Sequence, residues 1–141
     1  MAGDPFDLDR FVKAQDGVVE RARAELRAGR KQSHWMWFVF PQLAGLGSSA
    51  MARRYAIASL DEARAYLAHP LLGPRLRAGV EDALASGETD AHRLFGSPDD
   101  MKFRSCLTLF IEAGGEGVFE IALEHFFGGE ADAATLSLLK R

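Results

Sequence analysis

Ser33-His34-Trp35-Met36-Trp37-Phe38-Val39-Phe40-Pro41 is the stretch whose reading decides the fold. It holds both tryptophans and two of the ten phenylalanines, and no Asp, Glu, Lys or Arg stands between Lys31 and Arg53. At helical spacing His34, Trp37 and Phe38 share one side, Trp35 and Val39 a second, Met36 and Phe40 a third. A helix that is apolar all round has no face to give to water and must be enclosed by other elements. A buried strand is the competing assignment, because five of these residues favour strands. A strand, however, needs a partner for its backbone, and no second run of this kind occurs in the chain. Ser33 is a good N-cap, and Pro41 pushes Phe40 out of helical geometry. The stretch therefore predicts a short, buried helix over 33–40 at the centre of the fold.

Toward the N-terminus, Leu8, Phe11, Val12 and Gln15 mark a one-faced helix closed by Gly17. Val18, Val19, Ala22 and Leu26 continue at the same period to Gly29. Beyond the aromatic run lies a loop in which Gly45 and Gly47 allow positive φ. Ser48 is positioned to cap a short helix through Ile57, and Ser59-Leu60-Asp61-Glu62 reads as a capping box. Pro74 fits the first position of the next helix, whose stripe is Leu72, Leu76, Val80, Ala83 and Leu84. A short helical turn from Thr89 to Phe95 precedes Gly96. Ser97 and Pro98 open an amphipathic helix with Phe103, Cys106, Leu107, Phe110 and Ile111 on one side. Val118, Ile121, Ala122 and His125 define another, stopped by Gly128-Gly129, and Asp132 can cap a last helix to Leu139. No segment alternates at period two over a useful length. The expectation is all-α: a single domain over 1–141, with about eight or nine short helices packed irregularly around the aromatic one.

At 48% hydrophobic and 26% charged residues, the chain has the composition of a folded globule rather than a disordered segment. A formal net charge of −3 supplies no general attraction for nucleic acid or an anionic membrane. The single cysteine excludes an intramolecular disulfide and suits a reducing compartment. The start lacks the basic and apolar regions of a signal peptide, and no apolar run approaches the roughly 20 residues that span a bilayer. A soluble, cytoplasmic protein is expected, without nucleic-acid or membrane partners; the sequence leaves any protein partner open.

No glycine-rich phosphate loop, histidine pair or cysteine cluster is present, so neither a metal nor a cofactor is expected. The four histidines stand isolated, and Cys106 reads as a small buried hydrophobe. Three places nevertheless strain a purely structural account. Lys31, Ser33 and His34 surround the N-terminus of the aromatic helix, where free N–H groups and a cation would hold an anion. Gln42 follows the run and can offer a donor and an acceptor to a planar edge, with Trp35 or Trp37 as stacking surface. Asp99, Lys102 and Ser105 share one edge of the helix after Pro98, as a solvated ion pair or as a polar site.

Together these features point to a polar–aromatic pocket for a small anionic or nucleotide-like ligand. Its expected lining is Lys31, Ser33, His34, Trp37, Gln42, Tyr55, His69, Lys102 and Ser105. If chemistry occurs there, His34 or Asp100 is the candidate acid or base; the sequence leaves open whether the protein is an enzyme. The competing reading is a non-catalytic protein–protein interaction module in which the aromatic run is only core.

The run 33–42, Gly45-Leu46-Gly47 with Ser49, Tyr55-Ala56-Ile57, His69-Pro70-Leu71-Leu72-Gly73 and the segment 100–110 resemble a bacterial family. It is the one numbered 1810 among domains of unknown function, sometimes labelled "calpastatin". The resemblance runs from about residue 6 to 126 and implies a compact all-helical fold; it implies no activity. The label itself carries no physical weight, since an inhibitor of that kind is a polar chain that folds on its target. A more distant similarity, resting on fold class and a polar–aromatic pocket alone, is to all-helical domains proposed to process NAD or ADP-ribose derivatives.

Overall fold

Helix-forming runs punctuated by glycine give ten helices in the computed structural model, which describes residues 3–140. They are α1 (Asp9–Gln15), α2 (Val19–Arg27), α3 (Met36–Val39), α4 (Ala50–Arg54), α5 (Leu60–Ala68), α6 (Leu72–Ala85), α7 (Ala91–Phe95), α8 (Asp99–Glu112), α9 (Val118–Phe127) and α10 (Ala133–Leu139). The one extended pairing among the described residues is an isolated parallel bridge between Leu43 and Ile57. The fold is all-α, as expected.

The central helix is α8, not the aromatic run. Helices α5, α7, α9 and α10 all pack on it, and Phe103 through Phe110 are buried apart from partly covered Arg104. Ser105 and Thr108 fall on what periodicity makes its polar side, yet both are inside. Their hydroxyls donate to the carbonyls of Met101 and Arg104 one turn back, which satisfies them without water. Phe103 anchors an aromatic cluster with Phe40 (4.9 Å between centroids) and Phe95 (4.5 Å).

The predicted helix over 33–40 shrinks to the single turn of α3, and Ser33 does not cap it. Glu25 of α2 is the reason. Its carboxylate accepts from Gln32 N (2.8 Å), Ser33 N (3.0 Å), Ser33 Oγ (2.5 Å) and Trp35 Nε1 (2.9 Å). Those donors are drawn upstream, and the backbone stays non-helical until Met36. Trp35 is thereby the buried tryptophan, 1% exposed, while Trp37 is only half-buried.

Other caps shift as well. Ser49, not Ser48, accepts from Ala52 N to cap α4. Ser59 caps α5 through Glu62 N, but the Glu62 side chain takes Ala58 N and Arg10 instead of closing the box. Pro74 is the third residue of α6 rather than the first, and the His69 ring accepts from Leu71 N and Leu72 N at the start of that helix. Ser97 does not cap α8; Pro98 occupies the N-cap, with no side-chain hydrogen bond there.

Candidate functional site

Residues 98, 101, 102 and 105 recur at helical spacing, so the first turns of α8 and its N-cap present Pro98, Met101, Lys102 and Ser105 on one side. That side forms the base of a cleft of about 420 Å³. One wall is Gln42 with the 46–49 loop and Ala52 of α4; the other is Asp132 and Ala134 at the start of α10. The volume lies in the range of small-molecule sites. A second, water-sized cavity of about 10 Å³ shares Gln42, Ala52 and Lys102 with the cleft and adds Met36, Trp37, Phe40 and Tyr55.

Lys102 gives the cleft its cation. Its Nζ lies 3.5 Å from Asp99 Oδ1 and 5.5 Å from the Trp37 ring centroid. The other Asp99 oxygen, Oδ2, meets Lys31 Nζ at 2.9 Å. Lys31 is held firmly: its side chain is 7% exposed, its Nζ donates to the Ser33 carbonyl (2.6 Å), and it stands 5.0 Å from the Trp35 ring centroid. Two cations thus share one carboxylate, and the buried Lys31 has the shorter contact. Lys102 is left as the incompletely compensated charge.

Upstream, Glu25 fixes the segment that carries Lys31. Burial pushes the Glu25 carboxyl up, but the donors from Ser33, Gln32 and Trp35 outweigh it and hold the group at about 2. At the smaller cavity Tyr55, 9% exposed, packs on Phe38 (5.4 Å) and Phe11 (5.8 Å). Gln42 enters the hydrogen-bond network of the described residues through its backbone carbonyl, which accepts from Ile57 N at 2.8 Å. Burial pushes the Cys106 thiol up, as suits a core residue rather than a nucleophile.

Five of the residues singled out by sequence gather here: Trp37, Gln42, Tyr55, Lys102 and Ser105. Lys31 stands behind them, reaching Lys102 only through Asp99. The others lie elsewhere. Ser33 is tied to Glu25 and His34 is exposed outside the cleft lining. His69 belongs to a separate hollow of about 510 Å³ along the N-terminal turn with Asp4, Phe6 and Asp9. Asp4 already accepts from Leu8 N and Asp9 N there, and among the described residues no Lys or Arg lines that hollow. Asp100 faces His92, with Oδ2 3.6 Å from Nδ1. Neither His34 nor Asp100 lines the cleft, so the expected acid or base is not placed in it. Asp132 was missed as a lining residue because its visible signal, a polar residue before an apolar run, is that of a helix cap. It serves as one too.

Among the described residues no group of three or more His, Cys, Asp or Glu is placed to hold a metal ion, and no helix is long and apolar enough to cross a membrane. Comparison with known proteins matches residues 5–139 to the family model described as "Protein of unknown function (DUF1810)". The crystal structure of the conserved hypothetical protein Rv1873 from Mycobacterium tuberculosis is similar to this chain with a TM-score of 0.95 and 50% identity, covering 98% of this chain and 99% of that one. No curated protein matches.

Proposed function

Since this chain belongs to the DUF1810 family, whose description assigns no activity, we propose its function from the cleft alone: it binds a small anionic, nucleotide-like ligand. One observation carries the reading. Trp37, Gln42 and Lys102, separated by up to 65 positions (102 − 37), surround one adjoining pair of cavities. An ammonium, an amide and an indole at one place suit a ligand with an anionic group and a planar part.

The lysine pair makes such binding inexpensive. An anion that draws Lys102 away from Asp99 leaves that carboxylate still paired with Lys31, so no charge is stranded. Leu46, Pro98, Met101 and Ala134 supply apolar surface beside the contact. The proposal is for binding; the catalytic candidates stand outside the cleft.

The test is a thermal-shift and calorimetric screen against nucleotides, NAD, ADP-ribose and phosphorylated sugars. A hit at about 100 times its dissociation constant adds about 2.7 kcal/mol of stability. Lys102→Met with Gln42→Ala should weaken that hit by about tenfold or more while leaving the melting temperature nearly unchanged. Failure of every anion to stabilise the protein, or undiminished binding by the double variant, overturns the reading.

A further inference from the structure

The wall of the cleft opposite Gln42 carries a carboxylate that capping does not fully use. Asp132 is held rigidly: its N–H donates to Thr108 Oγ1 (2.9 Å), and its Oδ2 accepts from both Thr135 N (3.0 Å) and Thr135 Oγ1 (2.6 Å). Thr108 Oγ1 in turn donates to the Arg104 carbonyl, and Thr135 is wholly buried. Both threonine bonds fall on Oδ2, so Oδ1 has no protein donor among the described residues. Nor is the charge balanced by its basic neighbour. The Arg104 guanidinium goes to the carbonyls of Glu130 and Ala131 and to Glu130 Oε2. A helix cap needs one acceptor oxygen, which serine, threonine or asparagine would supply without a charge. The helix N-terminus favours the charge, and the second oxygen, on a residue that lines the cleft, is left without a protein donor among the described residues.

Resting on the binding reading above, we infer that Asp132 is a specificity-determining residue for a phosphorylated sugar, its free oxygen accepting from the vicinal hydroxyls of a ribose. Thr108, which holds Asp132, lies six positions beyond Lys102 on α8 (108 − 102), about 9 Å along the helix axis. A ligand whose anion meets Lys102 must therefore bring its donors to Asp132 from the far side of a small scaffold. A sugar phosphate has that layout, with phosphate at one end and a diol at the other. A carboxylate accepting from ribose hydroxyls is also a recurring device in nucleotide sites. A simple dicarboxylate is disfavoured, because its second charge would meet Asp132.

The experiment uses matched pairs titrated into the full chain by calorimetry: ribose 5-phosphate against 2-deoxyribose 5-phosphate, and AMP against 2′,3′-dideoxy-AMP. Phosphoethanolamine and inorganic phosphate complete the set. In the wild type the hydroxyl-bearing member of a pair should bind about tenfold tighter or more. Asp132→Asn keeps a capping oxygen, so the fold should persist, the preference should vanish and deoxy-sugar binding should be unchanged. Equal affinity within both pairs overturns the inference without any variant being needed. So does a preference that survives Asp132→Asn, or tighter binding of phosphoethanolamine, which would assign the oxygen to an ammonium. If phosphate compounds bind but the hydroxyls make no difference, only this inference falls. If no anion binds at all, the binding reading falls with it.

Discussion

Glu25→Gln tests the contact that sets the course of the aromatic segment. In the wild type the carboxylate holds four donors from residues 32–35, three of them on Oε1. Burial raises its pKa, but the hydrogen bonds from Ser33, Gln32 and Trp35 prevail and set it at about 2, against an ordinary value of 4.5. At about 1.4 kcal/mol per pH unit, ionisation of Glu25 contributes about 3 kcal/mol at neutral pH. The folded pKa is depressed, so this stability is fully present above about pH 5 and is lost as pH falls through about 2. Glutamine imitates the protonated acid at every pH. Urea unfolding should therefore find Glu25→Gln less stable by about 3 kcal/mol at pH 7 and by roughly half of that or less at pH 3. Gel filtration at both values keeps the comparison to one folded assembly state. A gap below about 1 kcal/mol at pH 7, or one of constant size between pH 7 and 3, would refute the assignment of Glu25 as an ionised clamp.

Two further outcomes follow from packing. Trp35→Ala should destabilise by about 3–5 kcal/mol, since it empties a site that is 1% exposed, whereas Trp37→Ala at its half-buried position should cost clearly less by the same urea assay. Gly73→Ala, on an α6 helix where alanine ordinarily stabilises by about 1 kcal/mol, should instead destabilise by about 1–3 kcal/mol, because a methyl there overlaps the Leu67 carbonyl; a higher melting temperature would contradict the packing.

Where a helix is specified by its own neighbours, the sequence was enough. Ser59 and Asp132 cap as their positions suggest, and Gly128 ends α9 in the left-handed conformation. The misreadings share a cause of another kind, a polar group arriving from outside the local pattern. Glu25 takes the donors that would have gone into a helix at 33–35, and the His69 ring does the work expected of Pro74 at the start of α6. Serine and threonine hydroxyls that satisfy themselves on the preceding turn let the polar side of α8 go inside, which periodicity alone does not foresee. The types of residue suited to a pocket could be picked out one by one. Their assembly could not, because nothing local relates Gln42 to Lys102, or either to Asp132.

Core and pocket were competing readings of the aromatic run, and the rings of residues 35–40 divide between the two settings. Met36–Val39 form the turn itself, and Trp35 and Phe40 are its non-helical caps. Trp35 and Trp37 accordingly meet different neighbours. Trp35 turns to Glu25, Lys31 and Phe40, while Trp37 is left beside Lys102 and Gln42 at the smaller cavity. Phe38 and Phe40, again two apart, divide likewise between Tyr55 on one side and Phe95 and Phe103 on the other. A single turn, held upstream by a carboxylate and released downstream at Pro41, thus sends Trp35, Phe38 and Phe40 into the core and leaves Trp37 half-buried at the smaller cavity. An interaction module would use the run only as core and dock its partner on an apolar surface patch. Trp37, half-buried beside the Lys102 ammonium at the smaller cavity, supports the proposed small ligand instead.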